Sequence, residues 1–200
     1  MLHNRLPGSG KSSFDLVDHT LVFHELGLTR SNVFLDLGCG MGDYVIAAAE
    51  IIGPEGIAYG IDGWDEGIET LKKRSQENHL TNVQAFVISV ADHLPLPDKT
   101  VDICFIATAL HDFIRYGAAD GALQEAARVL KPTGILGIVE FKKIEGPPGP
   151  PIHIRLSPAE LEELITNFGF KKTKMLDVGP CTYMMVASQP LAPATQMASI

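Results

Sequence analysis

Apolar residues along the chain follow two alternating rhythms. The runs "NVFLDLG" (32–38), "GIAYGID" (56–62), "NVQAFVI" (82–88), "VDICFIAT" (101–108) and "GILGIVEF" (134–141) are short, β-rich and nearly all apolar. Strands read this way when both faces of a parallel sheet are covered, because no position then faces water. Between them, "DYVIAAAEII", "WDEGIETLKKRSQENH" and "DGALQEAARVL" carry the helical spacing of a segment with one buried face. Strands alternating with helices predict an α/β fold: an open, mostly parallel sheet whose right-handed crossovers set helices on both faces.

Other segments lie outside this alternation. Before the first strand, Phe14, Val17, Leu21 and the run from Phe23 to Leu26 predict a helix capped by Ser12 or Ser13 and ended by Gly27. After the fifth strand, "EGPPGPP" (145–151) predicts a surface loop, since proline has no amide proton for a helix or a central strand. "SPAELEELITNFGF" then opens with serine as N-cap and proline at the first helical position, and closes on Gly169. "KTKMLDVG" and "CTYMMVAS" meet at Gly179-Pro180, which predicts an antiparallel pair at the end of the sheet. The chain divides into an N-terminal segment and helix (1–30), one main domain (31–188) and a tail (189–200) expected to be flexible.

Composition narrows the function classes. With 200 residues, 46% hydrophobic and 20% charged, the chain is expected to form a single globular domain. A formal charge of −8 argues against nucleic acid as a partner, because a phosphate backbone is met by clustered Lys and Arg. Cys39, Cys104 and Cys181 lie far apart with no C-x-x-C pair, so neither a disulfide framework nor a metal site is expected. There is no apolar run of membrane-span length and no export signal, which makes a cytoplasmic protein the expectation.

Two stretches mimic motifs and fail on spacing. "HELGL" puts Leu28 where a zinc-protease helix needs its second histidine. "RLPGSGKSSF" (5–14) puts Arg5 where a phosphate-binding loop needs its first glycine, and no buried strand precedes it.

"VFLDLGCGMGDYV" carries the chemistry: a buried strand with an acid near its end, then G-x-G-x-G, then a helix. Glycines let the backbone turn sharply and approach a ligand, and adenosine-containing cofactors sit at such turns. Asp62, ending the second strand, can accept from both ribose hydroxyls. A dinucleotide site needs glycine at the sixth position of the turn. Asp43 stands there, and its charge opposes a pyrophosphate. A nicotinamide oxidoreductase is thereby disfavoured against a cofactor with no phosphate, whose amino acid tail would meet Asp36.

Here the sequence resembles the class I S-adenosylmethionine-dependent methyltransferases, in particular their small ubiquinone-biosynthesis-like branch. The resemblance spans about 32–188: "LDLGCGMG" looks like motif I, "GIDGWDEGI" like the ribose-binding motif, "LPLPDKTVDICF" like the run into strand four and "RVLKPTGILGIVEF" like strand five with its preceding turn. It implies a Rossmann-like seven-stranded sheet of order 3-2-1-4-5-7-6 with strand 7 antiparallel, and S-adenosylmethionine as cofactor. It also implies in-line methyl transfer to a small-molecule acceptor. Gly38, Cys39, Gly40 and Gly42 would line the methionine end with Asp36 beneath its amino group, Asp62 would hold the ribose, and Gly63 and Trp64 would lie beside the adenine. In relatives an aspartate four residues before the leucine of "LPLP" contacts the adenine; Val90 replaces it here, leaving Asp92 or the backbone of Ala91 for that role.

The acceptor is expected over the ends of strands four and five. The turn "ATALHDF" (107–113) after strand four faces cofactor and acceptor in the resembling family, bringing in Thr108 and Leu110, with His111 as the candidate base. A histidine there can equally hydrogen-bond the loop without moving a proton. After strand five, Glu140, Phe141, Lys142 and Lys143 leave the sheet on the cofactor side, and the two lysines either attract an anionic acceptor or form a solvated edge. His153 and Arg155, after the proline loop, are either polar groups of the pocket or, as the composition favours, surface residues. In this topology the first segment crosses the carboxyl ends of the strands, so 5–14 is expected to act as a lid with Lys11, Ser12, Ser13 and Phe14 beside the acceptor. Alternatives are a catalytically silent cofactor-binding protein and an arsenite methyltransferase-like enzyme, for which the three cysteines are poorly placed. No motif specifies the acceptor atom or the oligomeric state.

Overall fold

A computed structural model describes residues 10–190. The expected tail lies outside the described residues apart from 189 and 190, as does the lid segment before Gly10. The alternation resolves into β1 (Val33–Leu37), α2 (Asp43–Ile52), β2 (Ile57–Asp62), α3 (Asp65–Glu77), β3 (Val83–Val87), β4 (Val101–Ala107), α5 (Ala119–Val129) and β5 (Leu130–Phe141). Helix α1 (His19–Glu25) precedes them, α4 (Leu110–Arg115) follows β4, and α6 (Pro158–Thr166), β6 (Lys171–Gly179) and β7 (Thr182–Ser188) close the fold.

The seven strands run in the order β3-β2-β1-β4-β5-β7-β6. β7 is antiparallel to both neighbours and the remaining pairings are parallel. Both the order and the reversed strand are those the resemblance implied. β1, β4 and β7 are almost wholly buried, as their unbroken apolar runs require. The edge strand β6 is mostly exposed and carries Lys171, Lys172 and Lys174, charges that discourage pairing with another chain.

Helices α1, α2 and α3 pack on one face of the sheet through Phe23, Leu26, Val45, Ile52, Ile68 and Leu71. On the other, α4, α5 and α6 contribute Leu110, Phe113, Leu123, Ala126, Leu161 and Ile165. α6 opens with the expected cap: the Ser157 hydroxyl accepts from the Glu160 amide, and the Glu160 carboxyl accepts from the Ser157 amide.

Three local expectations need correction. The N-terminal helix is not capped by Ser12 or Ser13, because the chain breaks at Val17, which is extended between a 3-10 turn (Phe14–Leu16) and α1. Asp18 caps α1 instead, its carboxyl accepting from the Leu21 amide while its own amide donates to the Val178 carbonyl. β5 begins at Leu130 rather than Gly134, since Leu130 already pairs with Val101 before a register break. "ATALHDF" is not only a turn; it winds into α4.

Candidate active site

The glycine turn after β1 is held from below by Asp62. One of its carboxyl oxygens accepts from the Gly40 amide and the other from the Trp64 amide, each at 2.9 Å. Burial raises the Asp62 pKa, and backbone donors at Gly40, Trp64 and Gly63 only partly offset it. Gly38 has φ +80°, and a Cβ there would lie 2.7 Å from the Phe113 ring, so both backbone and space require glycine.

Asp36 lies at the floor of this turn, only 1% exposed. Neither of its carboxyl oxygens has a hydrogen-bond partner among the described residues. Burial first, then the neighbouring charges of Asp62 and Asp43, hold its pKa well above the ordinary carboxylate range. Buried polar groups are nearly always satisfied, so an orphaned carboxyl beside a cleft asks for a ligand donor. Asp36 faces a recess shared with Gly38, Cys39, Gly40, Tyr44 and the segment from Gly10 to Ser13. Asp43 is also there, paired with Arg74 at 2.7 Å.

A cleft of about 220 Å³ continues past Gly38, Gly40, Asp62 and Gly63 to Ser89, Val90 and Thr108. The Val90 side of the cleft is therefore lined by Ser89 and Val90. Asp92 is exposed, at the end of a turn whose amide donates to Ser89, and Ala91 packs against Gly121 on α5. Trp64 is buried and lies over Gly67 at the start of α3.

A second cleft, about 580 Å³, adjoins the first. The two share Lys11, Thr108 and Asp112. Ser12, Ser13, Leu16, His111, Arg115 and Phe141 also line it, with Pro148, Gly149, Pro150 and Pro151 of the 145–151 loop. Ser12 and Ser13 thus line this cleft. Phe14 does not line it: its ring stacks on His19 and meets Tyr44 edge-on, and Leu16 lies in the cleft. Leu110 is fully buried in the core, because the first turn of α4 directs it beneath the helix. Lys142 and Lys143 are engaged by Asp177 and Glu160, as a solvated edge would be.

His111 and Glu140 form the chemical centre of this cleft. Glu140 is fully buried; its carboxyl accepts from the His111 ring nitrogen Nδ1 at 2.8 Å and from the His111 backbone amide at 3.1 Å. With Nδ1 committed, Nε2 is the basic nitrogen, 3.7 Å from Asp112 Oδ2. Burial pulls the His111 pKa down, but the Glu140 hydrogen bond and charge, with Asp112, outweigh it and leave it raised; Arg155 acts in the lowering direction. A sequence signal for Glu140 existed in "GIVEF", where a carboxylate ends an otherwise apolar strand.

Arg155 is not a surface residue. It is 3% exposed and its guanidinium lies 5.6 Å from the centre of the Phe141 ring. Cys39 and Cys104 are buried with thiol pKa values pushed up, chiefly by burial, and Cys181 is separate from both. Among the described residues no cluster of His, Cys, Asp or Glu could hold a metal ion, and no helix is long and apolar enough to cross a membrane.

Comparisons with known proteins place the chain in a family. A family described as a methyltransferase domain matches residues 28–177. A demethylmenaquinone methyltransferase from Lactobacillus johnsonii is 34% identical over 125 residues, 62% of this chain and 50% of that one. The chain spans about half the length of the curated relatives it matches. A solved S-adenosylmethionine-dependent methyltransferase from Aquifex aeolicus is 29% identical, covering 90% of this chain and 93% of its own, at a TM-score of 0.81. The solved [4+2]-cyclase SpnF shares the fold at 22% identity and TM-score 0.72, covering 86% of this chain and 80% of its own. Sheet order, glycine turn and a family match over three quarters of its length together establish that the chain belongs to the methyltransferase-domain family.

Proposed function

We propose that this chain transfers the methyl group of S-adenosylmethionine to a small hydroxylated aromatic acceptor, with His111 taking the acceptor's proton. One observation carries the reading: the buried, unpartnered carboxyl of Asp36 faces a glycine-lined recess adjoining the cleft of His111 and Glu140. Asp36 would meet the ammonium of the cofactor's amino acid tail, Gly38 and Gly40 would admit its backbone-hugging end, and Asp62 would accept from the ribose. The Asp62 carboxyl keeps acceptor capacity for that purpose beside its backbone amide bonds. A pyrophosphate in the same place would face Asp36, Asp43 and Asp62 together.

When bound, this cofactor supplies an electrophilic methyl group on a sulfonium, open to in-line displacement. The protein's part is alignment and proton removal. Thr108 and Lys11, shared by both clefts, stand where donor and acceptor would meet. Nε2 of His111 takes the acceptor's hydroxyl proton, and Glu140 stabilises the imidazolium through Nδ1 while Asp112 adds a second negative charge. Phe141, Leu16 and the prolines give the cleft apolar walls suited to a flat ring. The relative's name, demethylmenaquinone methyltransferase, supports an acceptor of this type.

The test offers 1,4-naphthohydroquinone, simple phenols, thiols and amines with methyl-labelled S-adenosylmethionine. Labelled product should appear with a hydroxylated ring and fall about 10²- to 10⁴-fold in His111→Asn. SpnF makes a second reading concrete, since this fold does not fix a reaction. Tight S-adenosylhomocysteine binding without transfer to any acceptor would favour a silent binding protein, and calorimetric binding of NAD in its place would end the methyl-transfer reading.

A further inference from the structure

The guanidinium of Arg155 is built into the chain in an uncommon way. All five of its N–H donors are used, and every acceptor is a main-chain carbonyl of the preceding loop. Nε donates to Pro150 at 2.8 Å, one terminal nitrogen to Lys142 and Ile144 at 3.1 and 2.9 Å, and the other to Gly146 and Pro148 at 2.6 and 2.8 Å. The acceptors are alternate residues, so the loop from 142 to 150 wraps the cation with every second carbonyl turned inward. The curl closes at Gly149, whose φ of +96° suits glycine and where a Cβ would lie 2.8 Å from the Phe141 ring. No carboxylate is among the acceptors, so carbonyl dipoles alone compensate the buried charge.

The outer surface of the same curl is the wall of the larger cleft, through Pro148, Gly149, Pro150 and Pro151. Phe141 lies between the two groups that matter: Arg155 is 5.6 Å from its ring centre, and the His111 ring meets it edge-on with centres 6.2 Å apart. We propose that Arg155 is a positioning residue for the acceptor: it gives the proline loop the shape of a pocket wall and holds Phe141 and a positive charge with no hydrogen-bonded carboxylate beside the His111–Glu140 pair. The activity it serves is the methyl transfer proposed above, whereas the architecture it imposes does not depend on that reading.

The electrostatic part has a definite sign. The groups around His111 are Glu140 on β5 and Asp112 on α4, both favouring imidazolium, and Arg155 opposing them. Lys11 and Arg115 line the same cleft, and Tyr183 on β7 lies near Glu140. Without the Arg155 charge the imidazole is held more firmly in its protonated form, which cannot act as a base.

The experiment compares Arg155→Met and Arg155→Lys with the unaltered chain in three measurements. Calorimetry with S-adenosylhomocysteine reports the cofactor half and should stay within about twofold of wild type in both variants. Labelled methyl transfer to 1,4-naphthohydroquinone should show KM raised about tenfold or more in both, since lysine cannot reproduce the five-donor fork. NMR titration of the His111 ring needs no acceptor and should move to higher pH in Arg155→Met but return towards wild type in Arg155→Lys. Unchanged KM together with unchanged titration, at retained cofactor affinity, would overturn the proposal. Should Arg155→Met fail to bind S-adenosylhomocysteine, Arg155→Lys decides alone: raised KM at normal cofactor affinity supports the role, and normal KM ends it. If wild type methylates nothing offered, the methyl-transfer reading falls, and the His111 titration still decides on Arg155.

Discussion

Asp36 is where a single side chain couples ligand binding to protons. Its folded pKa is raised, so the free protein holds the carboxyl protonated across a range where an unfolded chain would be ionised. The sign follows: this group's contribution to stability is complete below the ordinary carboxylate pKa and is lost as pH rises through the raised value. A ligand ammonium reverses the preference for the neutral form. Binding of S-adenosylhomocysteine at a pH below that raised value should therefore release a proton, seen as a heat that depends on the buffer's ionisation enthalpy. Asp36→Asn should abolish the release and weaken binding by about 1.5–3 kcal/mol. Release that persists in Asp36→Asn would assign the proton elsewhere.

His111 obeys the opposite chemistry with the same arithmetic. Despite desolvation, Glu140 and Asp112 keep its pKa above the usual histidine value, so kcat/KM should climb with pH through that raised value as the base is freed. Glu140→Gln removes the main raising influence; the acid limb of the profile should shift to lower pH while the plateau falls. The stability difference between Glu140→Gln and wild type should be largest in acid and shrink as pH passes the folded pKa of His111. A limb that does not move would mean that another group titrates.

Among the elements, the segment before α1 spans the most function in the fewest residues. Lys11, Ser12 and Ser13 line both the Asp36 recess and the larger cleft. Ser13 is 3% exposed, and its hydroxyl lies 3.0 Å from the Tyr44 hydroxyl. Tyr44 is itself packed edge-on against Phe14 and Phe105. Tyr44→Phe should leave the fold intact but loosen this segment by about 1 kcal/mol, read as faster proteolysis near Gly10 and weaker S-adenosylhomocysteine binding. Deleting residues 1–13 should reduce turnover more than it reduces cofactor affinity, because Asp36, Gly38 and Asp62 remain. The sequence pointed to this segment for its position, yet the capping task it gave the serines falls to Asp18. Capping was the obvious role for serines before an apolar run, and a side chain 31 residues away, Tyr44, leaves no local trace.

At the scale of the molecule, the sheet was readable because burial on both faces leaves little choice of residue. β1, β4 and β7 show this directly. The glycine turn was readable because positive φ restricts the side chain. Less legible was whatever depends on partners distant in sequence. His111 could be singled out by residue type, but Glu140 became its partner only through the parallel pairing of β4 with β5, which aligns Ala107 with Val139 at the mouth of the site. Arg155 misled for a physical reason: after a proline-rich loop an arginine is normally solvated, and nothing local announces that five carbonyls will enclose it.

That enclosure has a consequence for how such a protein can change. Because the arginine grips only the main chain, no side chain between Glu145 and Pro151 supplies a donor or acceptor to the grip. Substitutions facing the cleft can then alter the contour presented to an acceptor without dismantling what supports it, provided Gly149 keeps its turn. Shape and foundation have been assigned to different atoms, an arrangement in which lineages, or a mutagenesis library, could exchange one acceptor for another while the cofactor half stays as it is.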